Sequence, residues 1–279
     1  MQLSRQEIDE FIDRALAEDI GRGDLTTNVT IPAGTTLKVA MMSRQDVVVC
    51  GLEIAAAVFH RVDPTIKVSL LAKDGDKVAP KAALARIEGD ARAILSAERT
   101  ALNIVQHLSG IATLTRRYAE LVEGTGATLI DTRKTIPTLR NVAKYASFIG
   151  GARNHRIRLD DGVLIKDNHI AAFGSITETI KTCKRKVPAL TIIEIECDTL
   201  DQVREAVEAG ADMILLDNMD VPNLKEAVKI VAGRAVLEAS GGINLETIRA
   251  KASSGVDFVS VGRMTQSAPA VDIGLDWGV

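Results

Sequence analysis

The sequence predicts an α/β protein: a small N-terminal α+β domain of open-sandwich type, followed by an α/β barrel that is TIM-like but incomplete. Three observations carry this expectation. After Ala127, buried strand-like runs alternate in series with amphipathic helical ones. Before Glu88 the runs are short, alternating and broken by turn residues, as in an antiparallel sheet. Polar residues end the later strand-like runs at near-constant spacing. With 279 residues the chain can form one large domain or two smaller ones. The expected division is residues 1–104, with a tail of about 268–279 returning to them, and a barrel over 105–267.

In chain order, Ile8, Phe11, Ile12, Ala15 and Leu16 recur at helical spacing with acids between them, which predicts an amphipathic first helix, not a signal peptide or a membrane span. A cytoplasmic location is the default expectation. From Leu37 to Glu88 the runs LKVAMM, VVVC, IKVSLLA and ALARIEG are punctuated by Gly51, Pro64, Asp74-Gly75 and Pro80, with a helix around Leu52 to His60. The stretch KDGDKVAPKAALARIEGDA has the look of half a biotinyl or lipoyl carrier, but no modifiable Lys sits at a hairpin tip, so a plain β-hairpin is expected. Ser96 is the candidate N-cap of a long helix that stops at Gly124. Then follow ATLID, a helix near Leu139 to Phe148, VLIKD, ITETIKTCKRK, TIIEIE, LDQVREAVEAG, DMILLD, VPNLKEAVKIVAG, AVLEAS, LETIRAKASSG and DFVSVG. This serial β/α repetition is the mark of a parallel sheet, and the number of units favours a barrel over an open sheet.

Composition narrows the function classes. The chain is 46% hydrophobic and 25% charged, with a net charge of -3. Aromatic residues are only 3%, which leaves neither the stacking platforms nor the positive surface that nucleic-acid binding needs. Cys50, Cys183 and Cys197 lie far apart with no CxxC pair, so buried thiols are expected and not a disulfide framework or a zinc site.

Against this acidic background, residues Asp131 to His169 hold eight Lys/Arg and two His but only four Asp. A cationic island of this kind focuses field on a small, multiply anionic ligand. The island is interleaved with Gly-Gly, Asn and two strand-like runs that should be buried, which favours a binding site over a solvated face.

In β/α barrels the chemistry sits at the carboxyl ends of the strands. Those ends are Asp131 to Lys134, Lys166, Glu196, Asp217, Ser240-Gly241-Gly242 and Gly262, and Glu196, Asp217, Ser240 and Gly262 follow one another at 21, 23 and 22 residues. Side chains alternate along a strand, so Ile192, Glu194 and Glu196 share a face, as do Met213, Leu215 and Asp217, and Val236, Glu238 and Ser240. Polar groups therefore point into the barrel. Glu196 and Asp217 there must meet Lys134 and Lys166, a metal or ligand hydroxyls, since unpaired buried charge is costly. Hard oxygen donors with incomplete protein coordination suit Mg²⁺ shared with a phosphorylated substrate, and internal Lys–carboxylate pairs are the alternative. ASGGI and SVGR are short glycine turns at helix starts, where exposed N–H groups can hold a phosphate.

TRKTIPTLR, GGARNHR, LIKDNH, EIE, LLDN, EASGGI and VGRMTQSAPAVDIGLD, with EDIGRGDLTT and AERTALN earlier in the chain, together resemble the quinolinate phosphoribosyltransferase family, the type II phosphoribosyltransferases of NAD biosynthesis. The resemblance covers essentially the whole chain. It implies reaction of quinolinate with phosphoribosyl pyrophosphate to give nicotinate mononucleotide, pyrophosphate and CO₂, with Mg²⁺ as cofactor. It implies that Arg133, His155, Arg156 and Lys166 hold the two quinolinate carboxylates, with Thr132 beside them and His169 lining the same pocket. Lys134 and Lys166 match positions near the pyrophosphate and the reacting centre, and Glu196 and Asp217 those that take ribose hydroxyls and Mg²⁺. Ser240, Gly241 and Gly242 with Val261, Gly262 and Arg263 match the 5′-phosphate turns. Arg99 matches an arginine inserted into the neighbouring subunit's site, which implies a homodimer or a dimer-based hexamer. Ile136, Thr138, Ala152 and Gln266 depart from the family's usual residues.

The chemistry agrees with the resemblance on its own terms. Guanidinium forks match carboxylates bidentately, which explains Arg where Lys would do less well. Phosphoribosyl transfer builds cationic character on the sugar while pyrophosphate leaves, so carboxylates and cations are both needed. Other readings are a phosphoribosyltransferase for a ring acid with one carboxylate, which needs fewer cations, a non-catalytic metabolite-binding barrel, and an aldolase-type lyase with Lys166 as Schiff base.

Overall fold

Local signals set the helix starts in the computed structural model, which describes residues 1–278. Ser4 and Glu7 cap each other at the start of α1 (Arg5–Ile20), and Ile12 and Leu16 form its buried stripe. Asp24 accepts the Thr27 N–H to cap α2 (Leu25–Thr30). Strands β1 (Thr36–Ser43) and β2 (Val47–Val48), helix α3 (Leu52–Val62), and strands β3 (Lys67–Leu70), β4 (Lys77–Val78) and β5 (Ala83–Asp90) follow. The expected hairpin through residues 73–91 does not form. β4 pairs with β2, and β5 takes β1 and β3 as its antiparallel neighbours. Helix α4 (Ala91–Val122) also starts earlier than expected: Asp90 accepts the Ala93 N–H at 3.0 Å, whereas the Ser96 hydroxyl donates to Asp24. An aspartate ending a strand is as good a cap as the serine six residues later, and it comes first.

The chain separates into two compact units, one of Met1–Arg116, Asn141–Gly150 and the residues from Ser267 on, the other of Arg117–Arg140 and Gly151–Gln266. The division falls within α4, further along than residue 104, and gives α5 (Arg140–Gly150) from Asn141 on to the first unit. That unit is completed by the C-terminal strand, which pairs antiparallel with β1 and makes a four-stranded sheet.

The second unit runs through β6 (Thr128–Ile130), β7 (Val163–Ile165), α6 (Asp167–Phe173), α7 (Ile176–Lys186), β8 (Ile193–Cys197), α8 (Leu200–Glu208), β9 (Met213–Asp217), α9 (Val221–Val231), β10 (Val236–Ser240), α10 (Ile248–Ala252), β11 (Phe258–Ser260) and α11 (Arg263–Gln266). Its six strands are parallel in the order β6-β11-β10-β9-β8-β7. A single parallel bridge, Ile130 to Arg153, extends the β6 edge. The sheet curls, because His155, next to that edge, reaches Glu194 on β8 and Glu238 on β10. The result is an incomplete barrel. Ile195, Cys197, Ile214, Leu216, Leu237, Ala239 and Val259 form one buried apolar face, and truncating one of its larger side chains costs about 2–5 kcal/mol. The alternate residues form the interior. Cys50 and Cys197 are buried free thiols, and Cys183 is half-buried. Among the described residues no helix is long and apolar enough to cross a membrane.

Candidate active site

The carboxyl ends of the strands surround a cavity of about 290 Å³. The segment after β6 brings Thr132, Arg133 and Lys134, and the segment after the Arg153 bridge brings His155 and Arg156. Lys166 follows β7, Glu196 is the last residue but one of β8, and Asp217 and Ser240 end β9 and β10. Strand pairing sets Ser240 level with Asp217, and Glu196 level with Leu215 one side-chain step below on the same face. The alternation read from TIIEIE, DMILLD and AVLEAS therefore holds, since Leu215 with Asp217, and Glu238 with Ser240, line the same cavity.

The cationic island divides in three dimensions. Arg133, Lys134, Arg156 and Lys166 meet at the cavity. Lys144 lies buried on α5 in the first unit, Arg158 pairs with Asp160 in solvent, and Arg153 lies over the Phe258 ring.

Of the four converging cations only Lys166 has a carboxylate partner among the lining residues. Lys166 donates to the Glu196 carboxylate. Arg156 donates to the Gly162 carbonyl at 2.8 Å, and both burial and the neighbouring Arg133 lower its proton affinity below the ordinary guanidinium value. Arg133 Nε is buried without a partner. Lys134 is held by its main chain: its N–H donates to Thr132 Oγ1 at 3.0 Å, and the Thr265 hydroxyl donates to its carbonyl at 2.8 Å. Two guanidiniums close enough to repel, one of them with a buried unpaired donor, make a site that an anion completes.

An adjoining cavity of about 200 Å³ is lined by Ser240, Gly241, Gly242, Val261, Gly262 and Arg263, with Lys134 shared. Glycine is required at one of these positions and gives clearance at another. Gly241 has φ +86°, and a Cβ there would lie 2.2 Å from Asn218 Oδ1. A Cβ on Gly262 would lie 2.8 Å from Lys134 Cδ, so this glycine leaves room for the lysine. The departing residue Gln266 lines this cavity too.

Two of the expected site residues stand apart. His169 is exposed and does not line the main cavity; its Nδ1 accepts the Lys166 N–H at 3.0 Å at the start of α6. Position in the LIKDNH run put it near the pocket, but the helix turns its ring back onto its own first turn. Arg99, expected in a neighbouring subunit's site and not in its own, is exposed on α4 of the first unit. Conversely, Glu238 and Ser260 line the cavity without having been singled out, and Ser260 Oγ donates to Ser240 Oγ at 2.9 Å. Below them Glu194 is 3% and Glu238 1% exposed. Burial, against the opposing effect of His155, pushes Glu194 up to about 7. Burial disfavours charge on His155, whereas hydrogen bonding and charge from Glu194 and Glu238 favour it. The period-2 pattern had already put Glu194 and Glu238 on the inner face; that signal would have found them.

A parallel β/α barrel with clustered cations, two inward carboxylates and a pair of glycine turns at one end of the strands defines an enzyme site for phosphorylated anions. The comparisons with known proteins make the class particular. Residues 24–109 match the quinolinate phosphoribosyl transferase N-terminal domain and residues 111–276 the C-terminal domain of the same family. The chain belongs to the quinolinate phosphoribosyltransferase family. It is 41% identical to a nicotinate-nucleotide pyrophosphorylase [carboxylating] of Mycobacterium leprae over 96% of both chains, and 40% identical to a probable one of Synechocystis over 96% of this chain and 92% of the relative. The crystal structure of nicotinate-nucleotide pyrophosphorylase from Ehrlichia chaffeensis superposes with a TM-score of 0.94 at 43% identity, covering 99% of each chain.

Proposed function

We propose that this chain transfers the phosphoribosyl group of phosphoribosyl pyrophosphate to quinolinate and releases pyrophosphate and CO₂, giving nicotinate mononucleotide for NAD biosynthesis. The observation that carries this reading is the pair Arg133 and Arg156 in one cavity, with Arg133 Nε buried and unpaired. A ring acid with a single carboxylate would leave one guanidinium without an anion. Lys166 is ion-paired to Glu196, which suits an ammonium that neutralises anions and not the free amine of a Schiff base.

In this reading the two guanidiniums take the ring carboxylates bidentately and hold the pyridine nitrogen towards the sugar. The nitrogen forms a bond to ribose C1 as the bond from C1 to pyrophosphate oxygen breaks. Lys134 and Lys166 offset the charge that gathers on the leaving oxygens, and Glu196 and Asp217 steady the sugar as it becomes cationic. The glycine turns hold the 5′-phosphate through backbone N–H groups. The bond from the ring to the 2-carboxylate then breaks, its electron pair drawn towards the ribosylated nitrogen and the ring carbon taking a proton. Glu196 and Asp217 also fit Mg²⁺, since they offer only oxygen donors in one cavity and leave coordination sites for phosphate and water. When bound, the ion supplies further neutralisation of the pyrophosphate.

The direct test follows pyrophosphate and CO₂ release with Mg²⁺ in the presence of quinolinate. Release is expected with quinolinate and none with nicotinate; the opposite preference would overturn the substrate. The reading also includes a cytoplasmic homodimer, or a hexamer built from it, with Arg99 reaching the partner's site. Mixing an Arg99→Ala chain with a Lys134→Ala chain should restore activity that each lacks alone, and no recovery would count against a shared site.

A further inference from the structure

His155 has both ring nitrogens engaged from within the protein. Nε2 lies 2.9 Å from Glu194 Oε2 and 3.5 Å from Glu238 Oε2. The backbone N–H of Arg156 donates to Nδ1 at 2.7 Å. A nitrogen that accepts an amide hydrogen carries no proton, so this pattern assigns the neutral Nε2–H tautomer, donating towards Glu194. The two carboxylates favour a second ring proton, but it would sit on Nδ1, head-on to the Arg156 N–H. The main chain is fixed as well: the His155 N–H donates at 2.9 Å to Asp131, which is fully buried at the end of β6.

The same three side chains have the spacing of a metal site, with ligand atoms within 4.8 Å of one another. Their hydrogen bonds argue against that use. A metal-bound imidazole donates its outer N–H to an acceptor, whereas the outer nitrogen here is itself an acceptor. Binding a metal through Nε2 would require an imidazolate. The set is arranged around a proton.

We propose that Glu194 and Glu238 are positioning residues for the reaction: they lock the His155 ring so that its Nδ1 anchors the main chain of Arg156, and Arg156, not His155, grips the substrate carboxylate. This rests on the dicarboxylate reading above and reassigns one residue within it. With both nitrogens occupied, His155 offers the cavity only carbon edges and a ring face, a wall for a flat aromatic acid. Arg156 is then held at two points, its amide on His155 and its guanidinium on the Gly162 carbonyl at 2.8 Å.

The test compares Glu194→Ala with Glu194→Gln. Losing the acceptor should raise the KM for quinolinate about ten-fold, the size of one buried hydrogen bond, with the KM for phosphoribosyl pyrophosphate and kcat changed less than about two-fold. Glutamine, whose amide oxygen still accepts the Nε2 proton, should restore the KM to within about three-fold of wild type. Equal damage by Gln and Ala would mean that His155 works as an imidazolium and would overturn the proposal, as would parallel loss for both substrates. Should Glu194→Ala fail to fold, ¹⁵N spectra of the His155 ring in the unaltered enzyme decide: one protonated nitrogen at neutral pH supports it, two overturn it. That spectrum is informative even if quinolinate proves not to be the substrate, which separates this proposal from the reading it builds on.

Discussion

The two ends of the parallel strands in the second unit carry the same kind of residue in opposite service. At the amino ends, Asp212 before β9 accepts the Ile193 N–H that opens β8, and Asp257 before β11 accepts the Leu237 N–H of β10, both at 2.8 Å. Each of these carboxylates ties a strand to its neighbour and is consumed by backbone. At the carboxyl ends, Glu196 and Asp217 are met by side chains, Lys166 and Asn218, and they face a cavity where Arg133 retains a buried unpaired donor. An acid at a strand end is therefore not in itself a sign of chemistry. What distinguishes the site is hydrogen-bonding and charge capacity that the fold leaves unspent.

If that contrast is right, removing a charge at the carboxyl end should cost binding, and removing one at the amino end should cost stability. The largest effect is expected for Arg133→Ala or Arg156→Ala: loss of a bidentate charged contact should weaken quinolinate binding by about 100-fold or more. Binding of phosphoribosyl pyrophosphate should be largely intact, and calorimetry with each substrate separates the two. Equal loss of both would break the assignment. Next come Asp212→Ala and Asp257→Ala, which leave an N–H near the start of a strand without its carboxylate and should lower unfolding free energy by about 1–3 kcal/mol in urea titrations. Their kcat and KM at 25 °C should stay near wild type.

A pH series sharpens the contrast further. The carboxyl of Glu194 stands above its ordinary range, at about 7, because burial disfavours its charge. The folded state thus holds this proton at pH values where the unfolded chain has released it. Its stabilising contribution is present below the ordinary glutamate range and is lost as pH rises through about 7. Relative to Glu194→Gln, the wild type should lose urea resistance between about pH 5 and pH 8. A flat difference across that window would mean that the charge is not buried as described. The smallest effect is expected at Thr138, a β-branched residue at φ +70°. Thr138→Gly relieves that strain but loosens the unfolded chain, so a gain of at most about 1 kcal/mol is expected, with activity unchanged. Thermal melts would register it.

Much of this was legible before any fold was known, and for a local reason. TIIEIE, DMILLD and AVLEAS alternate with period 2, and that period alone places Glu196, Asp217 and Ser240 on one face, near the carboxyl ends where a barrel puts its site. The two glycine turns were legible for the same reason. Other features depended on competition between neighbours. Residues 73–91 have hairpin composition, yet β4 found a partner in β2. Ser96 is a good cap, yet Asp90 lies one strand end earlier. The ring of His169 was claimed by its own helix start.

The sequence by itself determined the class of fold, the order of its β/α units and the inventory of charges at the strand ends, because periodicity and turn chemistry act over a few residues. Only the tertiary structure decided how those charges are shared. Curling of the sheet carries His155 from beside β6 to Glu194 on β8 and Glu238 on β10, while Lys144 belongs to the first unit and Arg133 Nε is left without a partner. Which charge meets which is settled by closure over long chain separations, and no local pattern encodes it.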